Sequence, residues 1–160
     1  MPVYTDEQMQ QLLHLYGPTV YRLALAQLRD PHDADDVYQE VFLKLMRYQP
    51  EFESREHQKA WLIRVTVNCC KDSLKKAHRR DLPLDPRMEQ PMPTAENEVL
   101  AQALESLPEQ QRVLIHLHYF ENYTTKEIAQ TLQMNHSTVR SHLRRACQKL
   151  KNGWKEWTFK

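Results

Sequence analysis

The chain has 160 residues and nearly balanced charge, with 22 Lys and Arg against 21 Asp and Glu. It holds only two glycines and no run of about eighteen apolar residues, which favours an all-α protein with no membrane-inserted segment. Three cysteines, two of them adjacent, fit neither a disulfide framework nor a CxxC metal site, and the N-terminus does not read as a signal segment, so a cytoplasmic protein is expected.

The first helical zone begins at a capping box. Thr5 and Gln8 have the spacing at which a side chain and a backbone amide satisfy each other in both directions. Gly17-Pro18 is predicted to kink or break this helix, because proline lacks an amide proton. The helix is expected to resume beyond that pair and to end near Asp30-Pro31.

The second zone, from about Asp33 to Arg47, has one apolar side and one acidic side. Helical spacing predicts that Ala34, Val37, Val41 and Leu45 are buried. The opposite side mixes acids with large apolar residues, which suggests docking of a basic, partly apolar partner. Its residues are Asp35, Asp36, Gln39, Leu43 and Met46. A solvated face is the alternative, since acids near a helix start are stabilised by ~0.3–1 kcal/mol each.

The third zone, from about Gln58 to His78, has a core stripe and a separate basic stripe. The core stripe is Leu62, Val65 and Cys69. Trp61 lies beside it, and a core role is favoured over a contact with a base. The other stripe is Arg64, Asn68, Lys71 and Lys75. Such a face can follow a phosphate backbone while its amide reads a base edge, although Asn68 as a solvated residue is the alternative. The polar loop 52–57 before it is suited to receive an unstacked base.

A linker follows, because residues 82–94 contain four prolines and no helical periodicity. We therefore predict an N-terminal domain of three to four helices at 1–80, a linker at 81–94, and a four-helix C-terminal domain at 95–160.

The C-terminal domain contains the parts of a helix-turn-helix. Thr124 and Glu127 form a second capping box, Gln133 to Asn135 forms a turn, and no Asp or Glu occurs from 128 to 155. In the second helix Val139, Leu143, Ala146 and Leu150 make the apolar stripe, and Asn135 or Ser137 is the expected cap. The polar side and its flanks carry Ser137, Thr138, Arg140, Ser141, Arg144, Arg145 and Gln148. This pattern favours a helix in the major groove of DNA, with an ordinary helical hairpin as the alternative.

Four stretches together resemble the extracytoplasmic-function (ECF) sigma factors, two-domain bacterial transcription-initiation subunits. They are YGPTVYRLALAQLRDPHDADDVYQEVFLKL, HQKAWLIRVTVNCCKDSLKK, LESLPEQQRVLIHLHYFENYTTKEIAQTL and HSTVRSHLRRACQKL, from about Leu12 to Leu150. The most specific feature is the acidic D-A-D-D-V-x-Q-E-V-F block ahead of an A-W-L-x-R helix.

This resemblance implies partners and roles. The acidic helix would dock on core RNA polymerase through Asp35, Asp36, Gln39, Glu40, Leu43 and Met46. The next helix and the loop before it would recognise and melt the promoter −10 element, with Asn68 as the base-reading amide. The base-capture loop would be Ser54, Arg55, Glu56, His57 and Gln58. The remaining −10 candidates are Trp61, Arg64, Lys71 and Lys75.

The helix-turn-helix would read the −35 element of promoter DNA. The residues assigned to it are Ser137, Thr138, Arg140, Ser141, Arg144 and Arg145. The resemblance also implies an anti-sigma factor that covers both domains, and a linker that passes through the polymerase.

Two rival functions explain less of the chain. A stand-alone helix-turn-helix regulator accounts for the C-terminal domain but leaves the acidic, apolar face unused. An enzyme is suggested by eight histidines, but His116 and His118 would point apart on a helix, and no HExxH or Gly-rich phosphate loop occurs. His136 and His142 are instead expected to contact phosphate or solvent. We therefore predict no catalytic residue, cofactor or metal.

Overall fold

The computed structural model describes residues 4–80 and 102–153, and it describes side chains for 4–76 and 102–152. All regular secondary structure in these residues is helical, so the predicted all-α fold class is confirmed. The chain divides into two compact units, Met1–Leu84 and Asp85–Lys160. The linker predicted at 81–94 lies outside the described residues, and its limits stay a prediction. No helix among the described residues is long and apolar enough to cross a membrane.

The N-terminal unit is a bundle of three helices in which each packs on the other two. They are α1 (Asp6–Leu28), α2 (Pro31–Tyr48) and α3 (Arg55–Arg80). Their shared core includes Tyr16, Val20, Ala24, Leu28, Ala34, Val37, Val41, Phe42, Leu45, Leu62, Cys69 and Cys70. The predicted stripe of α2 is confirmed, since none of its four residues is more than 2% exposed.

Helix α1 runs through Pro18 without interruption, so of the predicted kink or break the break is wrong. Tyr16 and Val20 are buried on either side of the Gly-Pro pair, and their packing outweighs the backbone hydrogen bond that proline cannot make. A Cβ atom at Gly17 would lie only 3.0 Å from the hydroxyl of Tyr38 on α2. The glycine therefore serves close packing between two helices rather than the end of one.

Both later helices of this unit begin earlier than the sequence suggested. Asp30 caps α2, its carboxylate accepting from the backbone N–H of His32 at 2.9 Å. At α3 the Ser54 hydroxyl accepts from the backbone N–H of His57 at 3.1 Å, and His57 Nδ1 accepts from the N–H of Glu53 at 3.3 Å. His57 stands where a capping box has Glu or Gln, but it accepts from Glu53, one residue before the Ser54 cap. The residues 55–57, expected in a loop, form the first turn of α3.

In the C-terminal unit, residues 102–105 are helical, and three longer helices follow them. These are α4 (Glu109–Ile115), α5 (Thr125–Leu132) and α6 (His136–Gly153), with a π-helical turn at His116–Phe120 after α4. Helix α6 packs against both α4 and α5. The predicted stripe of Val139, Leu143, Ala146 and Leu150 is buried as expected.

Candidate polymerase-binding and DNA-binding surfaces

Helix α2 exposes acids and large apolar side chains together. Asp35, Asp36, Gln39, Glu40, Leu43 and Met46 are all exposed, and they define what we call the acidic-apolar face. Leu43 is 63% exposed and Met46 is 53% exposed, which is unusual for side chains of this size beside a well-packed core. Glu40 also pairs with Lys44 at 3.6 Å on the same helix. The structure therefore brings the six predicted polymerase contacts onto one continuous surface.

The first turn of α2 concentrates negative charge. Asp33 is half-buried there, close to Asp30 and Asp36. Burial, followed by repulsion from Asp30 and Asp36, raises the pKa of the Asp33 carboxyl above its ordinary value. The crowding of acids thus makes this end of α2 electronegative.

The basic stripe of α3 is exposed only over its second half. Asn68, Lys71 and Lys75 are exposed on one side, whereas Arg64 is half-buried and its Nε atom is enclosed. The structure thus brings three of the four predicted residues together on one exposed face, whereas Arg64 is half-buried. We call Asn68, Lys71 and Lys75 the α3 polar face.

The segment assigned to base capture is the cap and first turn of a helix rather than a loop. The side chains of Ser54 and His57 form the hydrogen bonds of the cap. The backbone oxygen of Arg55 accepts from the hydroxyl of Tyr16 at 3.4 Å. The side chains of Arg55 and Glu56 are exposed, and Gln58 is half-buried. A capped helical turn stands where the sequence predicted a capture loop, because the cap satisfies backbone N–H groups at the start of the helix.

Trp61 belongs to the edge of the core, as the favoured interpretation had it. It is half-buried and meets Phe52 edge-on at 5.9 Å between ring centroids. His57 meets Phe52 in the same way at 5.5 Å. The three rings pack the start of α3 against the preceding loop, which leaves only part of Trp61 open to a nucleobase.

The helix-turn-helix has the geometry predicted for it. The Thr124 hydroxyl accepts from the N–H of Glu127 at 3.1 Å, and the Glu127 carboxylate accepts from the N–H of Thr124 at 3.1 Å. Helix α5 ends at Gln133, whose φ of 57° is left-handed. Thr125 Oγ1 and His136 Nε2 are hydrogen-bonded at 2.7 Å, which ties the first residue of α5 to the first residue of α6.

Helix α6 presents a cationic side without acids. Ser137, Arg140, Ser141, Arg144, Arg145 and Gln148 are exposed, and Thr138 is half-buried. The helix begins at His136, so Asn135 stands at the cap position and Ser137 lies inside the first turn. His136 is exposed as well as bonded to Thr125, whereas His142 is half-buried with an enclosed Nδ1.

His116 and His118 have separate partners. His116 Nε2 lies 3.3 Å from a carboxylate oxygen of Glu121, whereas His118 Nδ1 lies 2.7 Å from the backbone oxygen of Tyr123. Within residues 4–80 and 102–153, no three His, Cys, Asp or Glu side chains are grouped as metal ligands. All three cysteines are buried and free, and burial raises the pKa of the Cys69 thiol.

Comparison with known proteins assigns both units to one family. Sigma-70 region 2 matches residues 12–80, and sigma-70 region 4 matches residues 97–150. The ECF RNA polymerase sigma factor SigM of Mycobacterium tuberculosis is 30% identical over 144 residues, which are 88% of this chain and 74% of that protein. The chain belongs to the ECF sigma factors. Such proteins are transcription initiation factors that direct RNA polymerase to promoters, so a stand-alone regulator is not favoured.

Other ECF relatives and solved structures agree with this assignment. SigE of Mycolicibacterium smegmatis is 33% identical over 159 residues, covering 89% of this chain but only 60% of SigE. The fold is similar to the sigma factor RpoE of Bartonella quintana, solved with the anti-sigma factor NepR, at a TM-score of 0.80 and 22% identity over 94% of this chain and 98% of RpoE. CnrH, solved with the cytosolic domain of CnrY, has a TM-score of 0.68 at 23% identity, over 92% and 88% of the two chains.

Proposed function

We propose that this ECF sigma factor binds core RNA polymerase through the acidic-apolar face of α2. The observation that carries the proposal is the exposure of Leu43 and Met46 among four polar or acidic neighbours on a helix whose other side is fully buried. Apolar side chains of this size gain free energy from a partner, while the acids select a basic one. Helical spacing in the sequence predicts the same mixed acidic and apolar side of this helix.

The α3 polar face and the first turn of α3 are proposed to recognise and open the −10 element. Lys71 and Lys75 would hold phosphates, and the Asn68 amide would read a base edge. Arg55, Glu56 and Gln58 stand at the other end of the same helix, with Trp61 and Arg64 between them. Opening a base pair costs a few kcal/mol, and pocketing a freed base returns about 1–3 kcal/mol, so this module alone gains little.

Helix α6 is proposed to lie in the major groove of the −35 element. Arg140, Ser141, Arg144 and Arg145 would face base edges and Thr138 and Ser137 the backbone. Binding both domains to one polymerase raises the effective concentration of each for promoter DNA. The free protein should therefore bind promoters weakly and the holoenzyme tightly, with a strong dependence on salt.

An anti-sigma factor is proposed as the inhibitory partner, because family members are regulated by such proteins. The cytoplasm is proposed as the place of action, because RNA polymerase works there. The protein is proposed to act as a non-catalytic subunit that needs no cofactor. None of these roles requires chemistry from the histidines or cysteines.

In vitro transcription with core polymerase tests the function directly. Core enzyme plus this protein should initiate at a small set of native promoters, and filter binding at fixed salt should show tight promoter binding only for the holoenzyme. Gln39→Lys places a cation in the acidic-apolar face and should weaken core binding. Gln10→Lys is the matched control, since Gln10 is an equally exposed glutamine on α1. Equal core affinity of the two variants would remove α2 as the docking surface.

The role of Asn68 is tested by separating two steps of initiation. Asn68→Ala should slow promoter opening more than it weakens the closed complex, because the amide meets its base only after the strands part. Opening can be followed by the fluorescence of 2-aminopurine in the −10 element. An equal loss in both steps would mean that Asn68 only positions the helix.

A further inference from the structure

Helix α1 buries a glutamine in the N-terminal bundle. Gln27 has no exposed surface, and the other residues buried in the last two turns of this helix are apolar: Leu23, Ala24 and Leu28. A buried carboxamide gives up its hydrogen bonds to water, so an apolar side chain of similar shape would cost less free energy at this position. Stability alone therefore does not explain why a glutamine is found there.

The Gln27 carboxamide binds the backbone of α3. Its Nε2 atom donates to the backbone oxygen of Val67 at 3.2 Å, across 40 positions of the sequence, and both residues are buried. In an α-helix the same oxygen accepts from the N–H four residues later, which here is that of Lys71. A carbonyl oxygen has two lone pairs and can accept both bonds. The bond thus anchors the middle of α3 to a second helix.

The anchored peptide group is the one that carries Asn68. The Val67 carbonyl and the Asn68 N–H belong to a single planar unit, which ends at the Asn68 Cα atom. Holding the oxygen of this unit therefore fixes the direction in which the Asn68 side chain leaves the helix. Val67 is buried and Asn68 is exposed, so the bond connects the interior of the bundle to the α3 polar face. Lys71, which shares the same oxygen, belongs to that face as well.

A second buried polar group on α3 shows what is particular to Gln27. The Thr66 hydroxyl donates to the backbone oxygen of Leu62 at 2.6 Å, and Thr66 has no exposed surface. Both partners of this bond lie on α3, so it satisfies the hydroxyl but cannot set the position of α3 relative to α1. The bond from Gln27 joins two helices and can do so.

We infer that Gln27 is a positioning residue for promoter opening, which holds the peptide group of Asn68 so that its amide meets a base edge in a fixed orientation. The inference rests on the proposed −10 role of Asn68. A hydrogen bond to a base weakens steeply when donor and acceptor are misaligned, so a small rotation of this peptide group would reduce recognition. Gln27 itself touches no DNA, since it is wholly enclosed in the bundle.

The test removes the donor and keeps the shape. Gln27→Met replaces the carboxamide with an unbranched apolar side chain of similar length. In the holoenzyme it should slow promoter opening about three- to tenfold and leave the closed complex unchanged, as followed by 2-aminopurine fluorescence in the −10 element. Gln111→Met is the matched control, because it makes the same change at a glutamine that is only 6% exposed in the C-terminal unit. The control should open the promoter at the normal rate.

A double-mutant cycle separates positioning from a general effect on the bundle. In an Asn68→Ala holoenzyme, Gln27→Met should cause no further slowing, because the residue that it positions has been truncated. Slowing by the same factor in both backgrounds would overturn the inference, since Gln27 would then act through the stability of the bundle. Failure of Gln27→Met to fold, or equal slowing by Gln111→Met, would overturn it for the same reason.

The remaining outcomes distinguish the inference from the proposal beneath it. Normal opening by Gln27→Met, beside a defective Asn68→Ala, would overturn the role of Gln27 and leave the proposed function standing. Normal opening by Asn68→Ala would instead count against the proposed function itself.

Discussion

Helices α3 and α6 are both basic and both assigned to DNA, yet they bury different amounts of their surface. Helix α3 packs against α1 and α2 and buries residues on several sides, among them Leu62, Ile63, Thr66, Val67, Cys69 and Cys70. Helix α6 is anchored chiefly by one stripe, so its cationic side stays open over several turns. A basic helix can lie lengthwise in a DNA groove only if its neighbours cover no more than one of its sides. Helix α3 is limited to contacts at its start and along the α3 polar face.

The largest effect expected from this difference is on stability. Leu62→Ala should lower the free energy of unfolding of the N-terminal unit by about 2–5 kcal/mol, because it leaves a cavity between three helices. Leu43→Ala, the same change at a side chain that is 63% exposed, should alter it by less than about 0.5 kcal/mol. Hydrogen exchange over residues 6–80 and urea unfolding measure both. Similar losses for the two variants would contradict the central position of α3.

The next effect concerns recognition by α6. Arg144→Ala should weaken holoenzyme binding to a −35 element by about 1–3 kcal/mol and relax the preference at one base pair. Lys149→Ala is the control, since this exposed lysine lies about 140° around the helix axis from Arg144. Competition binding against −35 sequence variants measures both. If Lys149→Ala relaxed the preference as much, the reading face of α6 would be assigned to the wrong side.

A smaller effect separates the starts of the two helices. Ser54→Ala should destabilise the N-terminal unit by about 0.5–2 kcal/mol, because the Ser54 hydroxyl caps α3. Ser137→Ala should leave the stability of the C-terminal unit nearly unchanged, since Ser137 lies within the first turn of α6 and Asn135 takes the cap position. Thermal unfolding compares them. An unchanged unfolding midpoint for Ser54→Ala would contradict the cap and favour the loop that the sequence predicted for residues 54–57.

The smallest effect is electrostatic and concerns Asp33 in the first turn of α2. Burial and the neighbouring acids raise the pKa of Asp33, so the folded state holds this proton more tightly than the unfolded state. Stability should fall as pH rises from the ordinary Asp range through the raised pKa. Asp33→Asn should flatten that decline, whereas Asp35→Asn, at an exposed position, is the control. Urea unfolding at several acidic pH values measures how the free energy of unfolding depends on pH. The same dependence in Asp33→Asn as in the unchanged protein would contradict the role of Asp33.

Local patterns predicted the parts of the fold that depend on local chemistry. The boxes at Thr5 and Thr124, the stripe of α2 and the stripe of α6 are confirmed, since each follows from spacing along one helix. The start of α3 was missed because His57 stands where a capping box has Glu or Gln. Its signal was present in the sequence as a serine three residues before a side chain able to accept a hydrogen bond.

The errors and omissions elsewhere come from contacts between distant residues. Gly17-Pro18 does not end α1, because Tyr38 of the next helix needs the space that glycine leaves. Arg64 shares the spacing of the basic stripe, but the bundle encloses its Nε. The groove between the start of α1 and the start of α3 is lined by residues such as Leu15 and Arg55, which are 40 positions apart, and no periodicity along one helix could indicate it. The residues proposed to bind polymerase could be predicted as one surface because they share one face of a single helix.

The described residues form helices and no strand pairs, which bears on how quickly the protein folds. Helical bundles rich in local contacts reach their native state in microseconds to milliseconds. Ribosomes add only about 5–20 residues per second, so the N-terminal bundle has time to form while the rest of the chain is still being made. The delay between synthesis of this protein and its first encounter with polymerase would then be set by translation and diffusion, with folding adding almost nothing.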